Sequence, residues 1–364
     1  MRDFYFFDPN YYTKIYFFIL IIIVLFTSLY FLKNNWIDKI RYSFSNSVGY
    51  IFLFIYIFYL SFRPIYINSG DMPSYMRFFN TAKNTAHFDW NQSEKIFYGF
   101  MHICSKIMIP EFYFAIIAAI YVLCAYLACK NWFKNDWFLV FLFYIISFQF
   151  LNYGINGIRN GLATSVFLLA ISRKNIFYQI LFFYIAFGIH KSLFLPIFAY
   201  SFTYFFNYPK YYIFYWLLCI PLSITNGVFF EDQLKIYYDD DKLDEYFEKG
   251  WYEDQFSQVG FRWDFIIYSF MAIGVGYFYI YIKKFNDTMY KRIYNSYIIC
   301  NGFWILIIGM SYSNRIAYLS WFLIAIIITY PLMKEKLFEK QNHFFVGLLS
   351  IYFILTLFLN RLYL

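Results

Sequence analysis

The sequence predicts an all-α polytopic membrane protein with about 12 transmembrane helices. Hydrophobic residues make up 62% of its 364 positions and charged residues only 14%, against roughly a quarter in a soluble domain. Apolar runs of about 17–25 residues recur along the chain, long enough to cross a bilayer core of ~30 Å. A soluble enzyme and a single-anchor protein are excluded, because the longest polar stretch, 231–262, is too short for a separate domain.

Twelve apolar segments are the candidate spans, and helices are the only option for them. A transmembrane barrel needs strands that alternate apolar and polar residues, whereas these segments are apolar on every face. The first segment starts weakly basic and has no small-residue cleavage site, so it is expected to be a true span. The candidate spans are 15–32, 48–66, 111–129, 137–153, 157–172, 176–189, 192–206, 211–229, 264–282, 293–311, 315–333 and 343–360.

The charge of the short connections between these spans predicts the orientation of the chain. Six connections carry fifteen Lys or Arg and, with Asp136, five Asp or Glu, a net charge of +10 against −2 elsewhere. The positive-inside rule places this basic side in the cytoplasm, and both termini then lie outside. The basic connections are 33–47, 130–135, 173–175, 207–210, 283–292 and 334–342.

The whole chain, 1–364, is predicted to form a single polytopic domain with two larger outer segments. Segment 68–110 contains an amphipathic stretch that is expected to lie on the surface or to re-enter the membrane. Segment 230–262 is an acidic outer loop. The apolar run 176–206 would be ~46 Å long as one helix, so we place an outer turn at His190–Lys191.

Ionisable residues at membrane depth are costly and mark candidate sites. Arg159 lies just inside the outer end of one span, beside glycines that allow close backbone approach. His190 and Lys191 form the outer turn, and Arg262 and Arg315 lie at the starts of two later spans. The predicted topology puts all of them at one outer level, and arginine forms bidentate bonds to phosphate oxygens. The sequence therefore predicts a phosphate or diphosphate site at this level.

Four of these residues also have a plainer interpretation. Arg159 fits an arginine that snorkels to lipid headgroups, and His190 with Lys191 fits a polar turn. Arg262 with Asp264 fits a local cap on the next helix, because a carboxylate is favourable near a helix N-terminus. The sequence leaves both interpretations open.

Two carboxylates on the predicted outer side are candidates for a general base. Asp71 in NSGDMPSY and Glu94 in NQSEKIFY suit proton transfer from a hydroxyl, and each also suits a solvated loop charge. The stretch Asp239–Asp241 has the D-x-D form that holds a metal in nucleotide-sugar transferases. Because it lies on the predicted outer side, away from nucleotide sugars, we expect a solvated loop instead.

No metal site, cofactor motif or nucleic-acid interface is predicted. The five cysteines contain no C-x-x-C pair and the four histidines are scattered along the chain. The sequence has no Walker A motif, no Gly-rich dinucleotide loop and no G-x-S-x-G. Aromatic residues reach 28% of the chain, so a single Phe or Tyr is background rather than a base-stacking platform.

The stretch IRNGLATSVFLLAISRKN, followed by FYIAFGIHKSLFLPI, resembles the core of the EpsG-like, Wzy-type polysaccharide repeat-unit polymerases. Family members commonly show an Arg-Gln pair, a small-residue helix and then a His-x-Ser turn. Here the pair is Arg159 with Asn160 in place of Gln, and the turn is His190-Lys191-Ser192.

Further landmarks extend the similarity over roughly 65–330. GFRWDF around Arg262 and NRIAY around Arg315 look like later family motifs, and Asp71 followed by Tyr75 looks like one in the first large outer loop. The resemblance rests on the order and spacing of these motifs taken together.

The resemblance implies an O-antigen or capsule polymerase in a bacterial plasma membrane, similar to the GT-C class of multi-span glycosyltransferases. Its substrates would be oligosaccharides on undecaprenyl diphosphate, used at the face toward the periplasm or exterior, with membrane lipid around it. No metal or other cofactor is implied, and a chain-length regulator protein is an open partner. The growing chain would move from its lipid diphosphate onto an incoming lipid-linked unit.

Our prediction from the residues fits that chemistry. The cationic groups that neutralise the leaving diphosphate are expected to be Arg159, Arg262 and Arg315. The candidate bases, in order of preference, are Asp71, His190 and Glu94. The expected sugar contacts and supporting residues are Asn160, Lys191, Tyr75 and Tyr318.

Two other functions share parts of this pattern. A lipid-linked oligosaccharide flippase has the same substrate but needs cationic groups along a central cavity, whereas the deep charges here cluster at one level. An O-antigen ligase uses the same donor and passes it to lipid A core. It also has Arg and His residues on its outer side, so composition does not separate a ligase from a polymerase. The resemblance favours the polymerase.

Overall fold

The computed structural model describes residues 6–65, 70–237, 261–310 and 313–360, and no strand occurs in these ranges. Sixteen α-helices lie in this part of the chain. The first nine are α1 (Tyr12–Lys33), α2 (Asp38–Ser61), α3 (Met72–Asn84), α4 (Lys95–Ser105), α5 (Pro110–Phe133), α6 (Trp137–Ile145), α7 (Phe150–Ile155), α8 (Ile158–Ile171) and α9 (Ile176–Ile189). The others are α10 (Phe194–Phe202), α11 (Pro209–Tyr237), α12 (Trp263–Tyr277), α13 (Thr288–Leu306), α14 (Asn314–Trp321), α15 (Ile324–Lys334) and α16 (Gln341–Leu359).

Seven helical segments in the described ranges are long and apolar enough to cross a membrane. They are Tyr12–Lys33, Asp38–Ser61, Pro110–Ile145, Pro209–Gln233, Trp263–Ile282, Asn314–Lys334 and Gln341–Leu359. The helices α8 and α9 are apolar but shorter, with 14 residues each. The chain thus has the helical, polytopic organisation that the sequence predicts, while the count of about 12 spans and the GT-C-like arrangement stay predictions.

Several of these helices turn large apolar side chains outward. On α1, Phe18 is 63% exposed and Leu25 57%, and on α9 Phe177 is 67% exposed. Contiguous apolar surface of this kind is rare on soluble monomers. Such faces suit contact with lipid.

The chain divides into two compact units, Met1–Leu193 with Leu332–Leu364, and Phe194–Pro331. The first contains α1 to α9 and α16, and we call it unit 1. Its core is α5, which packs against α2, α6 and α8. The short helices α3 and α4 pack against each other and against α5, and α4 also contacts α9. These contacts position the charged residues described below.

The predicted span 137–153 is broken in the structure. Helix α6 ends at Ile145, and α7 begins only at Phe150. The hydroxyl of Ser147 donates to the carbonyl of Tyr144 at 2.6 Å, a local bond that competes with helix continuation. A second break follows α7, so the chain re-enters the helical state at Ile158 and places Arg159 in the first turn of α8.

Helix α2 begins earlier than the sequence predicts. The predicted span starts at 48, whereas α2 starts at Asp38, with Arg41 in its first turn. The Arg41 Nε atom lies 3.0 Å from Oδ1 of Asp136, and both side chains are buried. Because this ion pair satisfies the buried charges, the helix extends into the stretch predicted to be a loop.

The second unit, Phe194–Pro331, is built around α13, which packs against α10, α11, α12 and α14. Asn301 of α13 is fully buried and donates to the hydroxyls of Ser269 and Ser320, each at 3.0 Å. Its oxygen accepts from the indole of Trp216 at 2.8 Å. A fully satisfied amide of this kind ties four apolar helices together.

Candidate active site

A charged cluster lies where four helices of unit 1 meet. Glu94 directly precedes α4, Arg159 lies in the first turn of α8, and His190 directly follows α9. Tyr75 comes from α3. Each charged residue therefore lies at a helix end, where backbone and side chain can face a ligand. We call Glu94, Arg159 and His190 the charged cluster.

Three donors converge on the carboxylate of Glu94. Arg159 Nη1 bonds to Oε2, and His190 Nδ1 bonds to Oε1. The backbone N–H of Lys191 donates to the same carboxylate. The Glu94 residue is only 8% exposed. A buried carboxylate with this many donors is held firmly in its ionised form.

The backbone of Glu94 is held in an uncommon conformation. Its φ of 58° and ψ of 50° lie in the left-handed region, which costs a residue other than glycine energy. Such conformations persist where the surrounding contacts over-determine them, and the three bonds to the carboxylate do so here. The strain aims this side chain at the ends of α8 and α9.

Two tyrosines complete the surroundings of Arg159. Its Nε donates to the hydroxyl of Tyr75 at 3.0 Å, and Nη1 donates to the hydroxyl of Tyr98 at 3.1 Å. Its guanidinium carbon lies 5.5 Å and 5.6 Å from the centres of the two rings. Nη2 forms no hydrogen bond within the described residues, and 24% of the side chain is exposed. The arginine is therefore positioned with one donor face left over.

The electrostatics of the cluster favour an ionised Glu94. Burial alone would raise the pKa of Glu94. The hydrogen bond and charge of His190 and the charge of Arg159 outweigh burial and lower this pKa to about 2. A carboxylate with such a low pKa is a weak proton acceptor near neutral pH. The geometry thus fits Glu94 as a counter-ion and orienting group better than as a base.

Close packing of α9 against α4 brings His190 to Glu94. Gly188 lies two residues before His190, and a Cβ atom there would come within 2.5 Å of Cδ1 of Ile96. Only glycine allows this approach without movement of Ile96.

Asp71, the preferred base of the sequence analysis, lies at the edge of this region. It directly precedes α3, and its backbone N–H donates to Oδ1 of Asn156 at 2.6 Å. Its charge acts on Tyr75, whose pKa is raised to about 12 chiefly by burial. Asp71 is therefore near Arg159, because the charges of both residues act on Tyr75.

Asn160 and Lys191 flank the cluster in different ways. Asn160 is 9% exposed, and its Oδ1 is buried and has no hydrogen-bond partner among the described residues. The side chain of Lys191 is exposed, while its backbone supports Glu94. Neither side chain is part of the ion-pair network itself.

The remaining predicted site residues belong to the second unit. Arg262 pairs with Asp264, with Nε 2.8 Å from Oδ1, as in the local cap that the sequence left open. Arg315 is exposed at the start of α14. Tyr318 is buried, and its ring centre lies 5.4 Å from that of Trp321. The convergence of all three arginines on one ligand stays a prediction.

The acidic loop at 230–262 falls largely outside the described residues, and so does Asp239–Asp241. Within the described ranges, no three His, Cys, Asp or Glu side chains converge as metal ligands.

Sequence reasoning missed two residues of the site. Tyr98 lies four positions after Glu94, one helical turn along α4, so the helix assignment alone places both on one face. Asn156 holds the backbone of Asp71, and no sequence signal marks it. A tyrosine among 41 is hard to single out by composition.

The described helices and the charged cluster define a helical, polytopic membrane protein with a charged, partly exposed site at its helix ends. The EpsG family model matches residues 48–363, and the chain belongs to the EpsG family. This match confirms the resemblance seen in the sequence, and it fits a role in making polysaccharide. No curated protein matches the chain, and no solved structure does.

Proposed function

We propose that the protein is a glycosyltransferase that joins oligosaccharide units carried on undecaprenyl diphosphate into O-antigen or capsular polysaccharide. The reaction would take place at the outer face of a bacterial plasma membrane. Membership of the EpsG family supports the polymer-forming role. The charged cluster is the observation that carries the transfer chemistry, because it combines an anion-binding group with an oriented proton acceptor.

Arg159 is the group that would bind the diphosphate of the donor. Among the described residues, its Nη2 is the donor left over after the bonds to Glu94 and the two tyrosines. It lies at the N-terminus of α8, where the helix dipole also attracts anions. Arginine in such a place stabilises the negative charge that develops on the leaving group.

His190 is the group that would accept the proton of the attacking hydroxyl. An ionised carboxylate only accepts hydrogen bonds, so the Nδ1 atom that faces Glu94 carries a hydrogen. In the neutral imidazole the Nε2 lone pair is then the basic position. This is the carboxylate–histidine arrangement that orients a general base in hydrolases.

The proposed step balances as a substitution at the anomeric carbon of the donor sugar. The bond from this carbon to the diphosphate oxygen breaks, and a bond to the acceptor hydroxyl oxygen forms. The hydroxyl proton passes to Nε2 of His190, and the electron pair leaves with undecaprenyl diphosphate beside Arg159. Asp71 is the second candidate base, because its charge acts on Tyr75, which accepts a hydrogen bond from Arg159.

The test is an assay of the purified full-length protein on a synthetic undecaprenyl-diphosphate-linked repeat unit, in detergent with EDTA. A ladder of products longer than one unit supports the proposal, including its independence of metals. Absence of a ladder, with or without EDTA, contradicts it.

The same materials separate the two rival functions. Movement of intact lipid-linked units across a vesicle membrane, without a ladder, would show a flippase. Transfer of a single unit to added lipid A core would show a ligase.

A further inference from the structure

A cavity of about 180 Å³ lies in unit 1 beside the charged cluster. Its walls come from α3, α4 and the loop that connects them. An engineered protein cavity of ~150 Å³ holds benzene, so this one has room for a single six-membered sugar ring.

The lining combines aromatic rings with hydrogen-bonding groups. Phe78, Phe88 and Tyr98 supply the rings, and Gln92 and His102 supply polar atoms. Binding pockets typically have this composition, with an apolar wall and a few polar groups that fix orientation. A pyranose ring has the matching form, because it presents an apolar C–H face and a rim of hydroxyl groups.

Tyr98 connects this cavity to the charged cluster. The residue is 7% exposed, it lines the cavity, and its hydroxyl oxygen accepts from Nη1 of Arg159 at 3.1 Å. A ligand in the cavity is therefore separated from Arg159 by one side chain. That separation suits a sugar next to the one that reacts.

The charges of the lining favour a neutral ligand. Among the described residues the lining includes the carboxylate of Asp89 and no lysine or arginine. A sugar with a carboxylate would meet this charge, and no lysine or arginine of the lining, within the described residues, would offset it. A neutral hexose or N-acetylhexosamine meets no such cost.

The cavity is also held in shape by a cation. Lys106, just after α4, donates from Nζ to the carbonyls of Ala82 and Lys83 at 2.9 Å each, and to that of Thr85. These carbonyls are at the C-terminal end of α3, where a cation is favourable. The wall formed by α3 is thereby tied to α4.

We propose that this cavity is a binding subsite for one neutral sugar ring of the lipid-linked substrate. The proposal rests on the proposed function for the identity of the substrate, and on the cavity itself for the class of ligand.

The experiment is saturation-transfer NMR on the full-length protein in lipid nanodiscs. The probes are the methyl glycosides of glucose, galactose, mannose, N-acetylglucosamine and N-acetylgalactosamine, with methyl glucuronide as the charged comparison. The variants are Phe88→Ala and His102→Ala. The matched control is Phe112→Ala, because Phe112 is an aromatic residue of the same unit, 64% exposed and outside the cavity.

We expect transfer to at least one neutral glycoside, no transfer to the glucuronide, and an at least fivefold reduction in both cavity variants but not in the control. No transfer to any neutral glycoside, or equal transfer in all variants, overturns the proposal. Both results are independent of polymerisation. If glycosides bind as expected but no ladder forms, the proposed function fails and the sugar site stands. If a ladder forms but no neutral glycoside binds in the cavity, the proposed function stands and the sugar site fails.

Discussion

Glu94 holds the other two members of the charged cluster in place. Its carboxylate accepts from Arg159, His190 and the backbone of Lys191, and it is almost fully buried. Removing one partner of such a group leaves a buried charge unpaired, which costs more than the bond contributes. Changes at Glu94 should therefore affect both stability and activity.

The low pKa of Glu94 predicts a loss of stability in acid. In the folded protein the pKa is about 2, against 4.5 for the unperturbed group. The contribution to stability is present above pH 4.5 and is lost as the pH falls toward 2, up to roughly 3 kcal/mol. Thermal unfolding in detergent should show the wild-type midpoint falling through this range and Glu94→Gln lacking that part of the fall. If the midpoints of the wild type and of Glu94→Gln fall in parallel as the pH is lowered, the ionised form of Glu94 is not stabilised by its partners.

His190→Gln tests the assignment of the base. Glutamine can still donate to Glu94, but it has no basic nitrogen. We expect kcat to fall by about 10²–10⁴-fold, with a smaller change in KM for the donor. Asp71→Asn is the comparison: if it abolishes activity while His190→Gln does not, the base is Asp71.

At the residue scale, the sequence names all three members of the charged cluster as candidates. Arg159, Glu94 and His190 were predicted because charged groups in an apolar chain are conspicuous. Their pairing was not predicted, since Glu94 is separated from Arg159 by 65 positions and from His190 by 96. Only the packing of α4 against α9 brings them together.

Packing between helices decides the geometry at the next scale. Gly188→Ala would place a Cβ atom 2.5 Å from Cδ1 of Ile96 and push α9 away from α4. A shift of about 1 Å at a catalytic group can cost on the order of 10²-fold in rate, so we expect a loss of that size in the ladder assay.

Two further variants control for the Gly188→Ala result. Gly347→Ala should be harmless, because nothing lies within 4 Å of the added Cβ atom. The double variant Gly188→Ala with Ile96→Ala removes the clash and should recover activity. If the double variant does not recover activity, the loss in Gly188→Ala does not come from the close approach of α9 to Ile96.

The helix bounds were predicted well where hydropathy changes sharply. The predicted span 176–189 coincides with α9, which Asn175 begins as a side-chain cap. The breaks after Ile145 and Trp321 were not predicted, because no charged residue, proline or glycine marks either one. Their causes are local serine hydroxyl bonds and tertiary packing, which a hydropathy profile does not record.

At the scale of the whole molecule, the orientation in the membrane can be tested by cysteine labelling. The five native cysteines are buried, so background labelling should be low. Trp90→Cys lies on the predicted outer side and Lys284→Cys on the predicted inner side, and both positions are exposed. An impermeant maleimide should label residue 90 in intact cells and residue 284 only after permeabilisation. The opposite pattern would show that the chain is inserted the other way round, and it would contradict a reaction at the outer face.

The overall class of the molecule followed from composition alone, because a chain of this length with 62% hydrophobic and only 14% charged residues has few other folds open to it. The number of crossings did not follow, since the seven long segments and two shorter apolar helices of the described residues are compatible with more than one number of crossings. Short helices such as α8 and α9 cross or re-enter according to their neighbours rather than their hydropathy.

Arg159 is proposed to bind the leaving diphosphate in a polymer-forming transfer. The most direct measurement is the product ladder made by purified Arg159→Ala beside Arg173→Ala, which removes an arginine that contacts Phe182 outside the charged cluster. We predict no ladder from the first, although the protein is present in the membrane, and a wild-type ladder from the second. A full-length ladder from Arg159→Ala would contradict the account.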